Sequence, residues 1–355
     1  MRQIEKTRKA ILEHCTTYPN LEIQDIFKFL YQSSLGCEHM VSSLDDVILG
    51  ISKEYDQLRC NNDILIDLLD GAYSRVHLNY LNKGLCAKTL GKIVYSSAKT
   101  EPSGMIALKQ KLEILKNLMG ENKLPFSHND FDGQLKKWGD DGYPAIHHSD
   151  AFRKEYHPSY RVIANKYARF LPLFAKIDTL LNNGPTIIAV DGGSASGKTT
   201  LSEMVKEIYD CSIFHMDDFF LRPHQKTDRR YAEIGGNVDR ERFLQEVLIP
   251  LKKNTPVFYR RYNCKTLKIE SPIKIPPKKL TVVEGAYSMH PELFEYYDFS
   301  VFLDITPELQ KQRILKRNES SVAKQFFEKW IPLENIYFSE TQIKERCQLC
   351  ISVFE

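Results

Sequence analysis

Residues 192–200 read Gly192-Gly193-Ser194-Ala195-Ser196-Gly197-Lys198-Thr199-Thr200, and the reading of this stretch decides the fold. Gly192, Gly197, Lys198 and Thr199 satisfy the spacing G-x-x-x-x-G-K-[ST]. A short β-rich run (186–190) precedes them and a helical pattern (198–209) follows. Glycines let the backbone wrap closely enough for its N–H groups to face phosphate oxygens, and a helix N-terminus adds partial positive charge. All nine residues are therefore expected to cradle the phosphates of a nucleoside triphosphate such as ATP. Lys198 would reach the β- and γ-phosphates, and the Thr199 hydroxyl would ligate Mg²⁺. The competing reading, a glycine-rich turn that binds nothing, does not require all four positions in that context.

Outward from the loop, the pattern alternates. Residues 211–216, 280–283 and 301–303 are short apolar runs, while 239–251 and 307–317 have helical character. Short buried strands separated by helices predict a parallel sheet flanked by helices, with its ligand crevice at the carboxyl ends of the strands. Two acids emerge there. His215-Met216-Asp217-Asp218-Phe219-Phe220 ends one strand, and a carboxylate beside Mg²⁺ and phosphate can take the proton of an acceptor hydroxyl. Asp217 is the chosen base. The alternative, two aspartates that only cap a turn, stays open; separately, Asp218 could take the metal through water. Leu280-Thr281-Val282-Val283-Glu284-Gly285 places Glu284 where it would serve Mg²⁺.

Together with Arg313-Ile314-Leu315-Lys316-Arg317, these stretches resemble the uridine kinase and phosphoribulokinase family over about residues 184–355. The resemblance implies a P-loop kinase fold, Asp217 as catalytic base, Glu284 for Mg²⁺, and Arg313 and Arg317 on the transferring phosphate. One turn apart on a helix, the two arginines would share a face and could clamp a phosphoryl group; a solvated basic face is the other reading. Asp239, in Gly235-Gly236-Asn237-Val238-Asp239, matches the family's hydroxyl-binding acid and is equally an N-cap for the next helix. The hairpin Phe258-Tyr259-Arg260-Arg261-Tyr262-Asn263 departs from the family's nucleobase-binding Tyr-Asp pair. Tyr259, Arg260 and Arg261 would suit a charged or polyhydroxylated acceptor, or else form a solvated face. The family's arginine-rich lid is replaced by Asn318-Glu319-Ser320-Ser321-Val322-Ala323-Lys324.

Ahead of Asn182-Asn183-Gly184-Pro185 the texture is helical, so a mainly α-helical domain is expected over 1–182 and a kinase domain over 183–355. Helix faces run through Ile23, Ile26, Phe27 and Leu30, through Leu44, Val47, Ile48 and Ile51 behind a Ser43 N-cap, and through Met105, Leu108, Leu112, Leu115 and Leu118. Residues 123–160 show no period and are expected as a long ordered loop, followed by a helix over 159–181. Tyr143, His147, His148, Asp150, His157 and Tyr160, with Glu38-His39, Arg75 and His77, would form a second ligand pocket or hydrolytic site, or else are capping and surface groups.

The 355 residues carry a net charge of +3, too balanced to argue for a nucleic-acid or membrane partner. No signal core or membrane-length apolar run is present, and eight cysteines are scattered, so a cytoplasmic protein is expected. Cys347-Gln348-Leu349-Cys350 has metal or redox spacing without a second pair and reads as part of a terminal strand, with metal or redox chemistry as the other reading. The expected function is phosphoryl transfer from ATP to a hydroxyl of a nucleoside or sugar-like small molecule. An ATPase switch acting through the helical half and a bifunctional enzyme are the alternatives, and homo-oligomer formation is left open.

Overall fold

The chain divides into two units, Met1–Asp178 and Thr179–Glu355. The computed structural model describes residues 2–37, 41–58, 64–98 and 104–354. Glu38 and His39 lie outside them.

In the N-terminal unit the predicted apolar faces do form helices. Ile23–Leu35 buries Ile23, Ile26, Phe27 and Leu30. Leu44–Asp56 starts at Ser43, whose hydroxyl accepts from the Asp46 N–H. Gly104–Gly120 buries Leu108, Leu112, Leu115 and Leu118 and leaves Met105 exposed.

Two expectations here are corrected. Residues 123–160 are not one long loop, because they contain helices His128–Asp140 and Asp150–Tyr156, capped by Ser127 and Ser149. Phe131, Leu135 and Trp138 carry the buried face of the first, a period obscured by Gly133 and Gly139. The helix expected over 159–181 opens instead as a strand. β1 (Ile66–Leu68), β2 (Tyr73–His77) and β3 (Tyr160–Ala164) form an antiparallel sheet in the order β1-β2-β3. Tyr160, Val162 and Ile163 suit the pleat, and β3 pairs with the fully buried β2 from Tyr73↔Ala164 to His77↔Tyr160. Helix resumes at Asn165–Ala168 and Leu171–Leu181.

The buried polar groups of this unit are tightly interlocked. The Asp25 carboxylate, 0% exposed, accepts from His148 Nδ1 (2.8 Å), the Ser149 N–H (3.0 Å) and the Ser149 hydroxyl (2.6 Å). His148 Nε2 lies 2.6 Å from the Tyr160 hydroxyl, and with burial keeping the ring neutral and Nδ1–H given to Asp25, Nε2 is the acceptor. Burial pushes the His148 imidazole down to about 4; the Asp25 hydrogen bond opposes this and Arg75 and Lys28 add to it. Between that value and the ordinary 6.5 the unfolded chain binds the extra proton. This contribution is therefore complete above 6.5 and lost as pH falls toward 4, by about 3 kcal/mol. Urea unfolding of the full-length protein, followed from about pH 7.5 to about pH 4.5, should show stability falling with acid. His148→Gln should flatten that slope; an unchanged slope would refute the assignment. His14, stacked on Phe29 and likewise pushed down by burial, accounts for part of the remainder.

In the C-terminal unit five strands form a parallel sheet. β4 (Thr186–Gly192) and β5 (Cys211–His215) are followed by the short strands β6 (Val257–Tyr259), β7 (Tyr262–Asn263), β8 (Lys268–Ile269) and β9 (Ile273–Ile275). β10 (Leu280–Glu284), β11 (Phe299–Ile305) and β12 (Leu349–Val353) complete the set. The sheet order is β12-β11-β4-β10-β5, while β6 pairs with β9 and β7 with β8. β4 and β10 are buried along their whole length, as strands covered by helices on both faces must be. Register aligns Val190, Glu284 and His215 across β4, β10 and β5, so the three strands end on one edge. Behind that edge Phe214, Met216, Phe219, Phe243, Tyr259 and Tyr337 belong to one core. No helix among the described residues is long and apolar enough to cross a membrane.

Candidate phosphate-binding site

β4 enters the loop through Gly192 at φ +143°, and a Cβ there would sit 2.5 Å from the Leu303 carbonyl oxygen. Only glycine fits. Gly197, left-handed at φ 100°, launches helix Lys198–Ile208. Lys198 Nζ donates to the Gly192 and Gly193 carbonyls at 2.8 and 3.0 Å, lying along the loop. Ser196 is buried, and its hydroxyl has no hydrogen-bond partner. An orphaned donor beside a helix N-terminus fits a phosphate oxygen.

Three carboxylates converge on this edge, each in a different state. Glu284, 5% exposed, accepts from Thr199 Oγ1 at 3.1 Å and from His215 Nδ1 at 2.5 Å. The Glu284 hydrogen bond holds the His215 imidazole above its ordinary value against the opposing effect of burial. Carboxylate and hydroxyl oxygens side by side are the hard donors that suit Mg²⁺. Asp218 is engaged by the hairpin: Tyr259 Oη lies at 3.3 Å and Arg261 Nε at 3.2 Å. Asp217, in the short turn Met216–Phe219 after β5, makes no hydrogen bond or ion pair among the described residues and stays open to solvent. The crowded walls of the crevice raise its pKa, Lys198 opposes, and Glu284 reinforces. Of the two adjacent aspartates, only Asp217 keeps both oxygens free.

The remaining predicted residues are distributed unevenly. Arg313 reaches the loop, donating to the Ala195 carbonyl at 3.2 Å. Arg317 does not; it lies over the Phe326 ring at 5.6 Å, so no arginine clamp is assembled. Asp239, 2% exposed, is the N-cap, accepting from the Arg242 N–H, and it also accepts from Gln225 Nε2 at 3.0 Å. Its oxygens are thus engaged within the protein. Arg260 pairs with Glu246 at 2.7 Å, while Tyr259 and Arg261 stand beside Asp218.

Sequence reading missed Glu334. This acid, on helix Ile331–Thr341, is 5% exposed and accepts from the Ser194 N–H at 2.8 Å and the Ser194 hydroxyl at 2.5 Å. Burial raises its pKa, Lys198 and Ser194 pull the other way, and Asp217 adds to the rise, so all four residues share one field. One turn later Tyr337 donates to Asp191 at 2.9 Å. Asp191 also accepts from the Gly192 and Met289 N–H groups, at 2.7 and 3.0 Å, and burial raises it to about 6. The i, i+3 spacing of Glu334 and Tyr337 is the only sequence signal, and alone it reads as an ordinary helix face.

Residues 187–323 match the phosphoribulokinase / uridine kinase family model. The matched residues include the phosphate loop, Asp217 and Glu284. A uridine kinase of Chlamydia pneumoniae is 33% identical over 152 residues, 39% of this chain and 65% of the relative. A phosphoribulokinase of Synechocystis is 27% identical over 35% of this chain and 39% of its own. The chain therefore spans less than two thirds of each of these relatives. A solved structure described as a possible uridine kinase from Bacillus stearothermophilus aligns at 18% identity and TM-score 0.38, covering 50% of this chain and 98% of its own. The family match lies wholly within the C-terminal unit.

Proposed function

We propose that the C-terminal unit transfers the γ-phosphoryl group of ATP to a hydroxyl of a small nucleoside or sugar-like molecule. The observation that carries this reading is the unpaired Asp217 carboxylate on the same sheet edge as Lys198 and the Thr199–Glu284 pair. The chain's own groups supply each part. The loop N–H groups, the Ser196 hydroxyl and Lys198 hold the triphosphate; Asp217 orients the acceptor hydroxyl and takes its proton as the new O–P bond forms and ADP leaves. Mg²⁺, held by Thr199 and Glu284, would neutralise phosphate charge. Uridine itself is not implied, because the hairpin at Tyr259 to Asn263 ties Asp218 through Tyr259 and Arg261. The test is ADP release from ATP and Mg²⁺ across a panel of nucleosides and sugars. Release that needs an acceptor supports the kinase, whereas equal hydrolysis with no acceptor points to an ATPase switch.

Glu334 supplies a further expectation. Its carboxylate sets the Ser194 end of the loop, and a displacement near 1 Å at a reacting centre costs about 10²-fold in rate. Glu334→Ala should lower kcat/KM by that order, with Glu334→Gln retaining more activity because one amide oxygen still accepts. Steady-state kinetics of the two variants checks it, and equal activity of Glu334→Ala and the unaltered protein would sink the positioning role.

A further inference from the structure

A cavity of about 620 Å³ lies within the N-terminal unit, and none of its lining residues belongs to the C-terminal unit. Its size falls in the range of small-molecule sites, about 300–1,000 Å³. Lys28, His147, His148, Arg153, His157 and Tyr160 line it. The structure thus gathers residues from the aperiodic segment with two that lie far from it in sequence, Lys28 on the wall and Arg75 behind Tyr160.

Two cations at this cavity, Lys28 and Arg153, have no carboxylate in contact among the described residues. Lys28 is 8% exposed, and its Nζ donates to the Ile146 carbonyl at 2.8 Å with no carboxylate in contact. Arg153 has no side-chain partner among the described residues and is exposed. Behind Tyr160, Arg75 is 1% exposed, with its guanidinium 4.7 Å from the Tyr160 ring centroid; its Nε donates to Gln32 at 2.8 Å and its Nη1 lies 3.9 Å from Asp67. The two acids of the wall are already engaged. Asp46 accepts from the hydroxyls of Ser42 and Ser43, and Glu54 pairs with Arg161 at 2.8 Å and accepts from Ser159. The Asp25 oxygens are held by His148 and Ser149. Burial lowers the Lys28 ammonium to about 8, and repulsion from Arg75 and Arg153 adds to the effect. Lys28, which is buried, and Arg153, neither touching a carboxylate, are an arrangement that a bound dianion relieves.

We propose that this cavity binds a small metabolite through a phosphomonoester group, held by Lys28 and Arg153, with the Asp25–His148–Tyr160 chain fixing the Tyr160 hydroxyl at its wall. A phosphate dianion matches two cations, and its three terminal oxygens accept from the planar Arg153 fork and the Lys28 ammonium together. The inference does not depend on the activity proposed for the C-terminal unit.

Full-length protein carrying Lys198→Ala, which disables the other phosphate site, is titrated calorimetrically with ribose 5-phosphate, inorganic phosphate and ribose. Binding of the two phosphate compounds but not of ribose is expected, and Arg153→Ala, on an exposed helix face, should weaken it by about tenfold or more. Lys28→Met should weaken it further, with the unfolding transition confirming that the variant folds. Equal binding of ribose, no heat from either phosphate compound, or affinity unchanged by Arg153→Ala would each overturn the proposal.

Discussion

Asp217→Asn is expected to lower kcat by about 10²- to 10⁴-fold, the usual contribution of a positioned general base, while the KM for ATP changes little. The asparagine keeps the shape of the side chain and loses only the capacity to take a proton. Asp217 makes no hydrogen bond that the substitution would break, and its raised pKa means that its surroundings already favour the uncharged form. The variant should therefore be at least as stable as the unaltered protein, which separates lost chemistry from lost folding. The sign of the pH dependence follows from the same shift. A base must be ionised, so activity should fall as acid protonates Asp217, at a pH above the ordinary aspartate range, and this dependence should vanish from the residual rate of Asp217→Asn. Product formation measured against pH for both proteins decides it; a small loss of kcat would move the proton to another acceptor.

Lys198→Met should cost about 10²- to 10³-fold in kcat and also raise the KM for ATP, because the lost ammonium faces charge that is present in the bound triphosphate and grows in transfer. In the structure Nζ bonds two loop carbonyls, so it must exchange those contacts for phosphate oxygens. The methionine stem preserves packing and leaves the carbonyls to water. Nucleotide affinity measured by calorimetry and turnover measured with saturating acceptor separate the two effects. An unaltered KM together with lowered kcat would show that Lys198 acts only on the charge formed during transfer.

The residues that were legible in sequence share a property: each is specified by its near neighbours. Gly192 and Gly197 need backbone angles that the motif announces, Ser43 caps the helix three residues ahead of Asp46, and β10 is a run of apolar residues ending at Glu284. Asp239 was readable as an N-cap for the same reason, although the engagement of its other oxygen by Gln225 was not. Where the local pattern was weak, sequence reading erred. Glycines hid the face of His128–Asp140, and Tyr160 to Ala164 became a strand because β2 offered an unpaired buried edge.

By itself, then, the sequence determined that a glycine-rich phosphate-loop motif follows a buried strand, that a parallel sheet carries it, and that Asp217 and Glu284 end neighbouring strands. Only the tertiary structure decided which of the two aspartates keeps a free carboxylate, since Tyr259 and Arg261 come from a hairpin some forty residues away to take Asp218. It likewise brought Glu334 to Ser194 across a separation of 140 residues, and Lys28 to the cavity that also holds Arg153. Backbone preferences act over one or two turns, whereas the state of a buried charge depends on every group that reaches it through the fold.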